Sequence, residues 1–148
     1  MDETNVRVNS LKAWILAARP KTLTGAAVPV MIGIACAVAM YGWCGIRVVP
    51  AVLCMLFALI MQVDANFIND YFDFMKGTDD EQRLGPKRAC AQGWITASAM
   101  RSGLFVTTLL ACIVGLPLVY YGGWEMIMVG LACVCLYTHL TLPTNREV

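Results

Sequence analysis

Charge is scarce in this chain. Only 14% of its 148 residues are Asp, Glu, Lys or Arg, and the formal net charge is +1. A balance so near neutral gives no sign of a nucleic-acid partner. Histidine is almost missing, with His139 alone. The seven cysteines (Cys36, Cys44, Cys54, Cys90, Cys112, Cys133 and Cys135) form no CxxC pair and lie mostly inside apolar blocks. They read as small buried hydrophobes rather than metal ligands or disulfide partners. Internal repeats and low-complexity tracts are absent as well. The opening "MDETNVRVNSLKAWILAARPKTLTG" lacks the pattern of a signal peptide, because it starts acidic and mixed and its first apolar segment comes late. Residues 1–21 therefore read as a cytoplasmic N-terminal segment, with an interfacial helix around Leu11–Ala18 carrying Trp14.

What the chain has instead is apolar length. It is 59% hydrophobic with a mean hydropathy of +0.65, and the apolar residues fall in long blocks rather than periodic stripes. Blocks of about 20 apolar residues are what a hydrocarbon core of roughly 30 Å requires. Four such segments are expected: 22–41, 48 into the seventies, 102–121, and one from 124 whose apolar part is 126–137. The fold class expected is all-α, a polytopic transmembrane helical bundle, with residues 22–137 as its membrane domain. Pro29 is tolerable inside a membrane helix, and Tyr41, Trp43, Tyr120, Tyr121 and Trp124 suit interfacial belts. The fourth segment is short and dissolves into "THLTLPTNREV", so 138–148 reads as a polar tail, either a short soluble terminus or a foreign or truncated end.

Lysine and arginine decide the orientation. Arg7, Lys12, Arg19 and Lys21 precede the first long segment, and Lys76, Arg83, Lys87, Arg88 and Arg101 lie between the second and third. The first short loop has Arg47 alone, and "YYGGWE" has none. The positive-inside rule then places the N-terminus and the second loop in the cytoplasm.

The one charged stretch, "NFINDYFDFMKGTDDEQRLGPKR" (residues 66–88), follows directly on an apolar run. If the second helix continues through it at about 100° per residue, Gln62, Asn66, Asp70, Asp73 and Gly77 fall on one narrow arc, with Asn69 beside them. An amide and two carboxylates converging at a membrane surface offer the oxygen ligands that Mg²⁺ prefers, and Mg²⁺ completes its shell with water and phosphate oxygens. Arg83, Lys87 and Arg88 come next, around an "LGP" turn, and their side chains match phosphate. Carboxylates for a metal beside basic groups make sense for a diphosphate ligand. Two other readings stay open on spacing alone: a solvated cytoplasmic loop, or a carboxylate ion site (Asp70, Asp73) in a transporter or membrane subunit. Asp79, Asp80 and Glu81 fit the solvated class, and Asp64 points away from Asn66, toward a neighbouring helix.

"AARPKTL", "NDYFDF", "KGTD" and "RLGP", in that order, resemble the UbiA superfamily of intramembrane prenyltransferases, and within it the menaquinone-pathway branch. The resemblance covers about residues 11–137. It implies a membrane fold of roughly nine helices, of which about four are here. It also implies transfer of a polyprenyl chain from polyprenyl diphosphate to 1,4-dihydroxy-2-naphthoate, with loss of CO₂, giving a demethylmenaquinol in a bacterial cytoplasmic membrane. By position, Asn66, Asp70 and Asp73 would hold Mg²⁺, with Asp70 and Asp73 as the catalytic carboxylates. Arg83, Lys87, Arg88 and Lys21 would serve the diphosphate, and Arg19 belongs to the same basic entry. Two departures stand out. Gly77 occupies a position where many relatives carry a third aspartate, and no second aspartate-rich motif follows. The expectation is an N-terminal fragment, inactive alone.

Overall fold

A computed structural model describes residues 6–76 and 88–141, with side chains described as far as residue 132. Its elements are α1 (Leu11–Ala18), α2 (Pro20–Tyr41), a 3-10 turn (Trp43–Gly45), α3 (Val48–Lys76) and α4 (Ala97–Thr141). The protein is an all-α membrane bundle, and three of its helices are long and apolar enough to cross a membrane.

Each boundary has a local cause. Ser10 caps α1, its hydroxyl accepting the Ala13 N–H at 3.3 Å. Arg19 ends α1 in the left-handed region (φ 51°), and its N–H closes on the Leu16 carbonyl. Pro20 then occupies the first turn of α2, where its missing N–H costs nothing and its ring bars Arg19 from a helical conformation. The 29 residues of α3 rise about 44 Å, more than a hydrocarbon core of roughly 30 Å, so one end must project past it. The polar end is the C-terminal one. Thr96 caps α4, accepting the Ala99 N–H at 3.3 Å.

The short helix α1 forms where expected and packs against the bundle: Ala13 and Ala17 are buried, and Trp14 turns inward to meet Phe67 edge-on, ring centres 5.4 Å apart. Small residues on α1 let its backbone approach closely, and Gly103 of α4 leaves room for the indole. The "YYGGWE" loop contracts to a single break at Gly123 (φ 65°) inside α4, and the helix then runs on to Thr141, past the expected end of the apolar segment. Of the cysteines with described side chains, Cys90 is buried and Cys54 half-buried. Cys36, Cys44 and Cys112 are exposed, a surface that faces lipid wherever the helices span.

The packed core lies at one end. Ala13, Ala17, Phe67, Ala89, Cys90, Ile95 and Met100 form one cluster that joins α1, the polar end of α3 and the segment leading into α4. Asn9 ties these together: its N–H donates to the Trp94 carbonyl at 2.8 Å, and its side-chain oxygen accepts the Thr96 N–H at 3.2 Å.

Candidate functional site

The projecting end of α3 carries Asn66, Asp70 and Asp73 on one face, and the structure gives each a different partner. Asn66 is buried and uses both hydrogens of its amide nitrogen, one on the Ala18 carbonyl and one on Thr22 Oγ1, each at 2.9 Å. Ala18 ends α1, so its carbonyl has no helical partner of its own. The α1–α2 junction is thereby fastened to α3.

Asp70 is 1% exposed. Its Oδ2 accepts the Ala89 N–H at 2.9 Å and the Cys90 N–H also acts on the carboxylate, while Oδ1 is buried and makes no well-formed hydrogen bond among the described residues. Among the described residues, Arg19 and Arg88 are cations whose charge acts on this carboxylate. An unmatched buried oxygen is expensive, and native proteins rarely leave one without a ligand or ion to meet it.

Asp73 pairs with the Arg88 guanidinium, which also donates to the Asn69 carbonyl. Arg88 is nearly buried, so this is a fixed contact rather than a surface pair. Lys21 is exposed in the first turn of α2, next to Thr22. Arg83, Lys87, Gly77, Asp79, Asp80 and Glu81 lie outside the described residues.

Sequence reasoning did not assign Thr22, the Ala89 N–H, or Thr107 and Thr108. Thr22 sits inside "RPKTL" and carried no role there. No residue type announces a backbone N–H. The threonine pair could have been found as adjacent hydroxyls in the apolar run 102–121, facing Asp64 across the helix pair.

The oxygen donors here (two carboxylates and an amide) suit a hard cation, with the rest of its shell drawn from water or phosphate. Among the described residues no group of three His, Cys, Asp or Glu side chains gathers. Asp70 Oδ1 therefore fits a metal as part of a shell, not as a closed cage. Toward the other end lies an apolar cavity of about 500 Å³ between α2, α3 and α4, lined by residues such as Ile34, Pro50, Cys54 and Leu118, with Arg47 its one charged member among the described residues.

The UbiA prenyltransferase family model matches residues 26–147. The chain is 36% identical over 117 residues to the 1,4-dihydroxy-2-naphthoate octaprenyltransferase of Escherichia coli, covering 78% of this chain and 37% of that protein. It is 37% identical over 108 residues to the protein of the same name from Haemophilus influenzae, covering 71% of this chain and 34% of the relative. It is 30% identical over 140 residues to the one from Mycobacterium tuberculosis, covering 90% and 46%. The chain thus spans less than half the length of these curated relatives. No solved structure gives a significant match.

Proposed function

The chain belongs to the UbiA prenyltransferase family, and from that premise we propose that it is the N-terminal part of a membrane enzyme that moves a polyprenyl chain from its diphosphate onto 1,4-dihydroxy-2-naphthoate. The acceptor loses CO₂ and leaves as a demethylmenaquinol. Residues 22–137 belong to the membrane-embedded transferase, with residues 1–21 and the polar end of α3 on the cytoplasmic side of a bacterial inner membrane. Three relatives bearing an octaprenyltransferase name support the reading.

The observation that supports it best is Asp70, whose buried Oδ1 makes no well-formed hydrogen bond among the described residues while the charges of Arg19 and Arg88 act on its carboxylate. Asn66, Asp70 and Asp73 would hold Mg²⁺, whose charge eases departure of diphosphate from the allylic carbon. Arg88, Arg83, Lys87 and Lys21 would neutralise the phosphate charge that one divalent ion leaves unbalanced. Arg88 would divide its guanidinium between Asp73 and the donor. The apolar flanks of α2 and α4 would keep water from the allylic centre.

A transporter's carboxylate site has no need of cations on the following loop, and a diphosphate site does. Replacing Arg83 and Lys87 together by alanine, in a chain as long as the relatives, should raise the KM for geranyl diphosphate by roughly a hundred- to ten-thousandfold, at about 1.5–3 kcal/mol for each of two charge-assisted hydrogen bonds to the donor. The KM for the naphthoate should stay within about threefold, because a single carboxylate bound elsewhere makes no such demand. Equal damage to both constants would mean misfolding, and unchanged constants would return these bases to a solvated loop.

A further inference from the structure

Asp64 lies deeper in the bundle than the acidic face and takes no part in it. Its carboxylate is 4% exposed and turned to α4, where the Thr107 hydroxyl donates to Oδ1 and the Thr108 hydroxyl lies 3.3 Å from both oxygens. Thr107 has other acceptors within reach, the Gly103 and Leu104 carbonyls at 3.2 and 3.1 Å. Those carbonyls already accept helix N–H groups, so the carboxylate is the stronger acceptor and draws the hydroxyl across. Two adjacent threonines of one helix thus grip one carboxylate of the next.

We propose that Asp64 is a positioning residue: gripped by Thr107 and Thr108, it fixes the rotation of α3 about its own axis and so the direction in which Asn66, Asp70 and Asp73 face. At about 100° per residue, Asp64 stands between roughly 120° and 180° around the helix from all three. It holds the back of the helix whose front carries the chemistry. Apolar packing cannot supply this, since inside a membrane lipid tails are as good a neighbour as leucine and only polar or close small-residue contacts select one rotation. Asn66 fastens the front of α3 to the α1–α2 junction through its amide nitrogen, not to α4. The contacts of Asp70 and Asp73 cannot hold the rotation during turnover. The Ala89 N–H on Asp70 and Arg88 on Asp73 occupy the oxygens that an incoming cation or phosphate would claim, so they must be remade when the site fills. The clamp to α4 is remote from that exchange. A rotation of about 20° at the radius of a carboxylate moves it by roughly 2 Å, and errors of about 1 Å in a positioned group cost of the order of 100-fold in rate.

The importance of that face rests on the reading above, but its direction can be measured without metal or substrate. In the intact chain in lipid nanodiscs, the exchange of the Ala89 amide reports whether Asp70 still faces it. Met100, whose N–H donates to the Thr96 carbonyl, is the internal reference. Asp64→Leu and the pair Thr107→Val with Thr108→Val should each speed Ala89 exchange at least tenfold relative to Met100. All three changes together should do no more than either set alone. Asp64→Asn, whose amide oxygen can accept both hydroxyls, should stay within about threefold of the parent. Mn²⁺ binding, read by electron paramagnetic resonance with the metal alone, should weaken in the same order. Unchanged Ala89 protection, or equal loss at Ala89 and Met100, overturns the proposal, because the bundle has then kept its rotation or simply loosened. Ala89 responding as stated in a chain that binds no Mn²⁺ upholds the clamp and removes the metal reading instead.

Discussion

The two ends of this molecule are built on different principles. At the polar end, α1, the α3 terminus and residues 88–100 enclose a buried cluster, and Asn66, Asp70 and Asp73 beside it are each held by a directed polar contact. At the other end, α2 has no buried residue at all, Tyr120 and Trp43 are more than four-fifths exposed, and a cavity stands open between the helices. The sequence is apolar at the far end and polar at the near one, so hydropathy alone would predict the reverse. Burial here follows contact geometry. Small residues, one indole and a few directed hydrogen bonds order the polar end, whereas the apolar end is left for lipid or further helices to cover.

The sharpest way to break the contrast is to remove a charge at each end. In a chain as long as the relatives, Asp70→Asn should lower prenyl transfer by more than about 100-fold, since loss of even an indirect metal partner costs 10–100-fold in affinity or activity. Arg47→Gln, in the far cavity, should change it by less than about threefold, as expected of a group remote from the chemistry. Comparable losses at both ends, measured with geranyl diphosphate, would mean that the far cavity belongs to the active site.

Much of the polar end is legible in the sequence. The bounds of α1 and the start of α3 follow from hydropathy, and the shared face of Asn66, Asp70 and Asp73 follows from a helical period carried past the apolar run. Other features are not. Trp14 reads as an interfacial anchor because tryptophan favours that depth, yet a glycine some 90 residues later opens a slot for it, and such a pairing leaves no local signal. Arg88 reads as a phosphate ligand, and nothing in its spacing shows that it would first close on Asp73. The Gly122–Gly123 pair reads as a loop, but helix resumes within a residue because only one left-handed position is needed to break it.

Gly103 offers the next test. A Cβ there would lie 2.6 Å from the outer ring atoms of Trp14, a distance no side chain tolerates unmoved. Gly103→Ala should therefore cost about 1–3 kcal/mol, the usual range for overpacking, in thermal unfolding of the chain in detergent. Trp14→Phe removes the atoms in conflict, so the double variant should recover much of that loss, with a coupling of about 1 kcal/mol or more. Additive losses would show that the indole does not sit against α4.

The smallest effects lie on the glycines farther from the cluster, and they grade the comparison. A Cβ on Gly115 would meet the Phe57 ring at 3.1 Å, a neighbour that is only half-buried and can give way, so Gly115→Ala should cost at most about 1 kcal/mol. A Cβ on Gly33, midway along α2, would meet nothing within 4 Å. There the intrinsic helix preference decides, and alanine should stabilise the chain by about 0.5–1 kcal/mol because glycine loses more backbone freedom on ordering. Thermal unfolding of the three alanine variants in one detergent should thus run from clear loss at Gly103, through a small loss at Gly115, to a slight gain at Gly33. A loss at Gly33 as large as that at Gly103 would break the ordering, because it would require a second surface closed tightly on α2, where the structure leaves its residues uncovered.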